Sequence, residues 1–401
     1  SVNVGYGREE IADAVRDQLV QMCYFAQSLG SEPASALASK LIEKMPGLSR
    51  VYFANSGSEA NEKAFKMVRQ IANKRYDGKK KYKILYRERD YHGSTIGCLS
   101  ATGQEQRRDQ YGPYVPDFVA VPHCLEYRSQ WGAVDNYGAR AAAAIEEVIL
   151  REGPDTIGSL CLEAVTAGGG VIPPPDGYWP AVQALCEKYD ILLHIDEVVC
   201  GLGRTGAWFG YQHYGIKPDF VSLAKGLASG YAAISAMVTS ERVFDAIHED
   251  SGNPSMDYFR DISTFGGCAG GLVAALKNIE IIEREGLVEN TARRGEQLLT
   301  RLEELKLRHP IIGDVRGKGL FIGVELVSDR HSKTPVSERY AAAVAGHCLK
   351  NGVMIGRTNR SFVEFNNTLC LSPSLIIGDA EIDRIVNAID QALSETDQNL
   401  A

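Results

Sequence analysis

Short apolar runs alternate with helical stretches through the middle of the chain, and this alternation restricts the fold more than any other feature. Six runs predict β-strands, at Arg50–Ala54, Tyr82–Arg87, Ile157–Glu163, Ile191–Asp196, Phe220–Leu223 and Ala233–Thr239. Between them, apolar residues recur at helical spacing. Strands that alternate with helices predict a mostly parallel sheet covered by helices, which is an α/β fold.

The pattern changes after about residue 300. Three glycines separate alternating apolar residues in Val315–Val327, as in a curved antiparallel hairpin. Gly352–Gly356 and Thr368–Ile376 predict two more strands, and Asp379 is a predicted N-cap of a final helix. These elements are typical of a small α+β lobe.

The chain has 401 residues, too many for one compact core. We therefore expect a large domain over residues 26–299. Residues 1–25 and 300–401 are expected to form a smaller α+β domain, with the predicted helix Glu9–Met22 packed on it.

Composition excludes several classes of protein. The net charge of −8 argues against a nucleic-acid surface. No apolar stretch is long enough to span a bilayer, and no signal-peptide pattern begins the sequence. The nine cysteines are scattered and never form a CxxC pair, so we expect buried thiols in the reducing cytoplasm. His194 and Asp196 lack a clustered third ligand, so we expect no metal site.

Two predicted strands end in groups that together can carry out chemistry. Asp196 ends one strand, and Lys225 follows the strand Phe220–Leu223. Ligands of open α/β sheets bind at the carboxyl ends of the strands. A desolvated lysine can form a Schiff base with a carbonyl cofactor, and a carboxylate can keep a pyridine nitrogen protonated. The pair indicates a pyridoxal phosphate enzyme, whereas either residue alone is more simply a solvated charge.

A candidate phosphate cradle lies in Asn55–Glu59, between a predicted strand and helix. Gly57 and Ser58 offer backbone N–H groups at the helix start, where the helix dipole favours an anion, and a hydroxyl such as that of Ser56 adds a donor. The simpler alternative is that Ser58 caps the helix together with Glu62.

Other candidate contacts also follow predicted strands. Tyr91 and His92 could stack on a flat heteroaromatic ring, although the same residues suit an ordinary turn. Glu163 precedes three glycines at 168–170, which would let backbone approach a ligand. Thr264 lies in a glycine-flanked loop, and its hydroxyl could reach a phosphate across a subunit boundary.

Two arginines of the predicted small lobe, Arg357 and Arg360, are candidates for binding an acidic substrate group. The guanidinium fork suits a carboxylate or a sulfonate. For either arginine, an exposed surface charge is an equally good interpretation.

Taken together, these motifs resemble the class III aminotransferases, over essentially the whole chain. The matching segments are Asn55–Asn61, Tyr91–Gly93, Glu163, His194–Val198, Gly203–Gly206, Ala224–Gly226 and Ser263–Gly267. The resemblance implies fold type I, with a mostly parallel seven-stranded sheet in the large domain. Within the ω-amino acid:pyruvate branch, Arg260–Cys268 and Gly356–Arg360 most resemble taurine:pyruvate aminotransferases.

The resemblance implies roles around the cofactor ring. Lys225 would hold pyridoxal 5'-phosphate as a Schiff base and then shuttle the substrate proton. Asp196 would keep the ring nitrogen protonated. Val198 would pack under the ring, and Tyr91 or His92 would stack over it.

The same resemblance implies the phosphate contacts. Ser56, Gly57 and Ser58 would bind the phosphate, joined by Thr264 from the second subunit of a homodimer or a dimer of dimers. Glu163 would line the site near the cofactor.

The implied reaction is a ping-pong transfer of an amino group from an ω-amino donor, with taurine as first choice, to pyruvate. It gives sulfoacetaldehyde and L-alanine, and Arg357, or else Arg360, would bind the acidic group. Donors such as β-alanine, 4-aminobutyrate or another amine stay open. Racemases, aminomutases and decarboxylases share such folds. An intact Asp196 and Lys225 argue against a non-enzymatic ligand sensor.

The sequence departs from the family pattern in two places. Members normally carry several dozen residues before the segment Asn3–Gly7, including an aromatic residue of the substrate pocket. We therefore expect that an N-terminal segment is absent from this sequence. Ala164 stands after Glu163 where proline is common, which alters a local turn.

Overall fold

The computed structural model describes residues 1–397, and its larger sheet has seven strands. They are β1 (Leu48–Ala54), β2 (Lys83–Arg87), β3 (Phe118–Val121), β4 (Ile157–Glu163), β5 (Leu192–Asp196), β6 (Phe220–Leu223) and β7 (Ser235–Ser240). Their spatial order is β1-β7-β6-β5-β4-β2-β3. Strand β7 is antiparallel to β1 and β6, and the remaining pairs are parallel. The predicted α/β fold with a mostly parallel seven-stranded sheet is confirmed.

The six predicted strands all occur, within two residues at either end. Strand β3 was not predicted. It has four residues at the sheet edge, and three of them are only partly buried. Its residues Phe118–Val121 are all apolar, but hydrophobic patterning alone does not distinguish a run of four apolar residues from a short helical segment.

The helices flank and connect the strands. They are α1 (Glu9–Gln21), α2 (Glu32–Glu43), α3 (Gly57–Tyr76), α4 (Ile96–Ser100), α5 (Glu105–Arg108), α6 (Tyr137–Glu152), α7 (Tyr178–Lys188), α8 (Glu241–His248), α9 (Ala269–Arg284), α10 (Leu287–Arg308), α11 (Glu338–Lys350) and α12 (Asp379–Glu395). None of these helices is both long enough and apolar enough to cross a membrane, over the residues described.

A second, antiparallel sheet lies in the C-terminal part of the chain. Its strands are β8 (Ile312–Gly317), β9 (Ile322–Asp329), β10 (Thr334–Pro335), β11 (Gly356–Arg357) and β12 (Thr368–Leu371). The order is β10-β9-β12-β11, and β8 pairs with β9 in the predicted hairpin. The division of the whole chain into two domains stays a prediction.

Three predicted boundaries in this part are wrong. Pairing begins only at Gly356, because the backbone turns at Gly352, which has a φ of +78°. Strand β12 ends at Leu371, two residues before Pro373, which has no N–H to donate to a ladder. The N-cap of α12 is Gly378, whose N–H donates to the Glu381 carboxylate at 2.8 Å, and Asp379 is the first helical residue.

Helix α1 does not pack as predicted. It lies along α9, inside the predicted large domain. The approach is close because α9 carries Gly270, where an added Cβ would lie 3.2 Å from the Leu19 side chain. Ion pairs Arg284–Glu10 (2.7 Å) and Arg8–Glu285 (2.6 Å) join the two helices at one end.

Two helical glycines provide a matched test of packing. A Cβ added at Gly295 on α10 would lie 2.3 Å from the Gly319 backbone, whereas one at Gly346 on α11 would meet no atom within 4 Å. Gly295→Ala should destabilise the protein by about 1–3 kcal/mol through overpacking. Gly346→Ala should stabilise it by about 0.5–1 kcal/mol, because alanine favours a helix. Urea unfolding of both variants checks this, and shifts of the same sign would contradict the packing.

Candidate active site

Three neighbouring strands bring polar side chains to one edge of the large sheet. In register, Glu163 at the end of β4 pairs with Asp196 at the end of β5, which pairs with Ser222 in β6. Lys225 begins the 3₁₀ turn that follows β6. The parallel topology thus gathers residues that are far apart in sequence, as the sheet rule predicts.

The Asp196 carboxylate is buried and fully engaged. Its Oδ1 accepts from the Val198 N–H at 3.0 Å, and its Oδ2 accepts from Asn61 Nδ2 at 2.8 Å. His92 Nδ1 also lies 2.8 Å from Oδ2. Burial alone raises the pKa of Asp196, but the hydrogen bond and charge of His92, with the other donors, bring the pKa below its ordinary value. The carboxylate is therefore ionised, as a partner of a pyridinium nitrogen must be.

Asn61 was missed as a site residue. Its amide donates both to Asp196 and to the His92 carbonyl (2.7 Å), and its oxygen accepts from the Ser222 hydroxyl. That hydroxyl lies 2.6 Å from His194 Nε2. A signal was present in the sequence: an amide between Ala60 and Ala64 on the apolar face of the predicted helix.

His92 binds Asp196, which differs from its predicted role of stacking on a flat ring. Its ring is bonded edge-on to Asp196 through Nδ1, and the side chain is fully buried. Tyr91 is half-buried, and the guanidinium carbon of Arg107 lies 5.2 Å from the centre of its ring. Of the two candidates for stacking on a flat ring, Tyr91 has the more accessible face.

Glu163 organises backbone rather than facing solvent. Its carboxylate accepts from the N–H of Tyr91 at 2.7 Å and of Ala167 at 2.8 Å. Burial, followed by the charges of Asp90 and Asp196, raises its pKa well above the ordinary value. The Asp90 carboxylate in turn accepts from the Glu163 N–H and from Arg87. This second buried network, also missed from sequence, fixes the segments that follow β2 and β4.

The predicted phosphate cradle begins α3. Ser56 caps the helix by accepting from the Glu59 N–H at 3.2 Å, and the Ser58 hydroxyl accepts from the Ser94 N–H at 3.2 Å. The alternative in which Ser58 caps the helix is therefore wrong. An added Cβ at Gly57 would lie 3.0 Å from Val198 and 3.7 Å from Ala224 Cβ. The cradle thus lies against Val198 and against Ala224, which directly precedes Lys225.

Lys225 is exposed while its neighbours Ala224 and Gly226 are buried, and its φ is +41°. Within residues 1–397, no hydrogen bond or ion pair engages its ammonium group. Thr264 is exposed too, at the start of the turn Thr264–Gly267. The preceding Ser263 hydroxyl donates to the Glu59 carboxylate at 3.1 Å, so this loop borders the cradle in the same chain.

A cavity of about 750 Å³ lies next to the segments that follow Glu163 and Val198, since Ala167 and Val199 belong to its wall. Its lining includes Arg107, Gly168, Val199 and Arg357 but neither Lys225 nor Asp196. Arg357 forms an ion pair with Glu338 at 2.9 Å. Arg360, with a φ of +55°, is exposed and does not line the cavity. Of the two candidate arginines, the structure therefore places only Arg357 on the cavity wall.

These residues fit pyridoxal phosphate. An ionised carboxylate lies beneath a sheet edge that also carries an unengaged lysine. Helix α3 presents its first amides, which have no partners within the helix, beside Gly57, where a side chain would crowd Val198. Among the described residues, no group of three or more His, Cys, Asp or Glu side chains is arranged to hold a metal ion.

Comparison with known proteins decides the family. The family model for class III aminotransferases matches residues 1–393. The chain belongs to the class III aminotransferases. It is therefore a pyridoxal phosphate-dependent transaminase, with an amine donor and a keto-acid acceptor as substrates, and the predicted family is confirmed.

Curated relatives and solved structures agree with this assignment. The chain is 65% identical to a hypotaurine/taurine–pyruvate aminotransferase of Paracoccus denitrificans, over 98% of this chain and 85% of that protein. It is 61% identical to a taurine–pyruvate aminotransferase of Rhodobacter capsulatus, with the same coverage. A Bacillus anthracis aminotransferase superposes with a TM-score of 0.94 at 40% identity, over 98% of this chain and 87% of the other.

The His194 network gives a pH-dependent contribution to stability. Burial lowers the pKa of His194 to about 3, against an ordinary value of 6.5. Because the unfolded chain takes up this proton first, the contribution is complete above about pH 6.5 and is lost as pH falls toward 3. Between about pH 7.5 and pH 5.5, wild type should lose roughly 1 kcal/mol more stability than His194→Gln. Urea unfolding at both pH values measures the difference.

The matched control is His331→Gln, which removes an exposed imidazole. It should keep the wild-type pH dependence. Equal pH dependence of wild type and His194→Gln would contradict a buried neutral His194.

Proposed function

We propose that this enzyme transfers the amino group of taurine to pyruvate, forming sulfoacetaldehyde and L-alanine by a ping-pong mechanism. The high identity to two taurine–pyruvate aminotransferases carries the choice of substrates. The meeting of Lys225 with an ionised, buried Asp196 at one sheet edge supports the chemistry.

Lys225 and Asp196 are the proposed catalytic residues. Bound pyridoxal phosphate supplies an electron sink for the electron pair of the broken substrate C–H bond. The Lys225 Nζ would take the proton from the donor carbon and deliver it to the cofactor, and in the second half-reaction it would move a proton in the reverse direction, onto the carbon of the acceptor. Asp196 keeps the proton on the ring nitrogen, and its low pKa favours the ion pair.

The remaining contacts follow from the same arrangement. Ser56, Gly57 and Ser58 would hold the phosphate at the start of α3, where the helix dipole favours an anion. Val198 would pack on one face of the ring and Tyr91 on the other. His92 would act on the ring through Asp196, and Glu163 would fix the Tyr91 backbone.

Arg357 is the proposed ligand of the acidic substrate group. It lines the cavity beside Val199, whereas Arg360 does not. Its ion pair with Glu338 must open or be shared, since a carboxylate and a substrate anion compete for one guanidinium. The sulfonate of taurine and the carboxylate of pyruvate would use the same fork in the two half-reactions.

We propose a homodimer, alone or within a tetramer, with Thr264 completing the phosphate site of the second subunit. Thr264 is exposed, and so are its neighbours Ile262 (93%) and Phe265 (67%). Exposed apolar side chains around a candidate site residue favour a protein interface.

We also propose a cytoplasmic location. All nine cysteines are free thiols, and most of them are buried, as suits a reducing compartment.

A half-reaction tests the substrates. With pyridoxal phosphate bound and no keto acid present, taurine should bleach the visible band of the cofactor, and pyruvate should restore it. Arg357→Leu should raise the taurine concentration needed by about 10- to 100-fold, the effect of losing a charged hydrogen bond. Stopped-flow absorbance measures both.

Arg360→Leu is the matched control and should change the taurine dependence little. If the band persists with taurine but bleaches with β-alanine or 4-aminobutyrate, the proposed amine donor is wrong and the reaction class stands. A greater loss in Arg360→Leu than in Arg357→Leu would reverse the assignment of the two arginines.

Mixed dimers test the shared site. In a dimer of one Lys225→Ala subunit and one Thr264→Ala subunit, a Thr264 acting across the interface leaves one site fully wild type. Thr264→Ala should weaken cofactor binding by about tenfold, through loss of a charged hydrogen bond. Co-expressed, doubly tagged mixed dimers should then be active at cofactor concentrations where neither parent dimer is.

If Thr264 acts within its own subunit, no site of the mixed dimer is intact and activity stays absent. An active monomer in gel filtration at low concentration would contradict the shared site altogether.

A further inference from the structure

Three guanidinium groups line the 750 Å³ cavity, and they differ in what already binds them. Arg357 is held by the Glu338 carboxylate. Arg384 lies on α12 and is exposed to solvent. Arg107, on α5, is half-buried, and no carboxylate within residues 1–397 forms an ion pair with it. A guanidinium that is withdrawn from water and lacks a counter-charge favours an anion.

Neutral groups hold Arg107 in place. Its Nε donates to the Gln104 side-chain oxygen at 2.7 Å, and its Nη2 donates to the Asn359 carbonyl at 3.1 Å. Gln104 is fully buried and is itself fixed by donating to the Arg89 carbonyl at 2.9 Å. These bonds orient the guanidinium without neutralising it, and they leave Nη1 without a partner in the described chain. The group is therefore preorganised for a further acceptor.

Arg107 belongs to the cavity wall and also lies next to Tyr91, the proposed stacking residue. Its guanidinium carbon is 5.2 Å from the centre of the Tyr91 ring. Gly168 lines the same cavity and follows Ala167, whose N–H donates to the Glu163 carboxylate. Val199, which follows Val198, lines the cavity as well. An anion on Arg107 would thus be close to the reacting end of the cavity.

We propose that Arg107 binds the acidic group of a substrate, a sulfonate or a carboxylate, in this cavity. The inference deepens the proposed function and rests on it for the location of the substrate. Arg107 meets the anion without giving up a carboxylate, whereas Arg357 must release or share Glu338. Arg107 would thus add a second guanidinium contact beside the fork of Arg357, which both substrates share.

The experiment compares Arg107→Met with wild type, using pairs of ligands that differ in charge. The donors are taurine and 1-aminopropane, followed in the half-reaction, and propane-1-sulfonate and butyrate serve as unreactive competitors. In Arg107→Met, kcat/KM for taurine or for pyruvate should fall by about 10- to 100-fold, and the competitors should bind correspondingly more weakly. The value for 1-aminopropane should fall much less.

A purely structural role predicts a different result. If Arg107 only holds the Asn359 carbonyl and the Tyr91 ring, the variant loses activity equally with taurine and 1-aminopropane, and this would overturn the proposal. Arg384→Met, which removes a charge from the exposed side of the same cavity, is the matched control and should have little effect on either donor.

The outcomes also distinguish a wrong role for Arg107 from a wrong amine donor. If wild type does not use taurine but Arg107→Met still weakens pyruvate and butyrate, the donor is wrong and Arg107 stands as an anion-binding residue. If taurine is used and neither anion responds to Arg107→Met, the reaction stands and the role of Arg107 is refuted.

Discussion

The buried carboxylate of Asp196 is the constraint on which the site depends. A charge removed from water is tolerated only when hydrogen bonds replace its hydration. Here Asn61 comes from α3, His92 from the segment after β2, and the Val198 N–H from the turn after β5. Satisfying one side chain therefore fixes three separate pieces of the chain around the sheet edge.

The pKa of the neighbouring Glu163 carboxyl shifts in the opposite direction. The two residues are in register on adjacent strands, yet the pKa of Asp196 is lowered and that of Glu163 is raised well above its ordinary value. His92 stabilises the charge of Asp196, whereas Glu163 faces Asp90 as well as Asp196. Environments that push two pKa values apart assign different work to similar groups. Asp196 presents a charge, and Glu163 holds backbone.

Two arginines that line the cavity differ in a related way, in the charge of the groups that bind them. Arg357 is already paired with Glu338, whereas Arg107 is held by an amide oxygen and a carbonyl. Neutral acceptors orient a guanidinium and leave its charge available, while a carboxylate competes with an incoming anion. Under the proposed function, the contacts that position the cavity wall would also set which arginine is available to an acidic substrate.

The sequence alone determined the layers of the fold, the ends of most strands, and the convergence of Asp196, Lys225 and Gly57, because hydrophobic period and strand-end position are local properties. Only the tertiary structure decided that His92 binds Asp196, that Asn61 joins them, that α1 lies on α9, and that Arg107 rather than Arg360 lines the cavity. Those outcomes depend on contacts between residues tens to hundreds of positions apart. No local pattern encodes which of several similar side chains ends within hydrogen-bond distance of another.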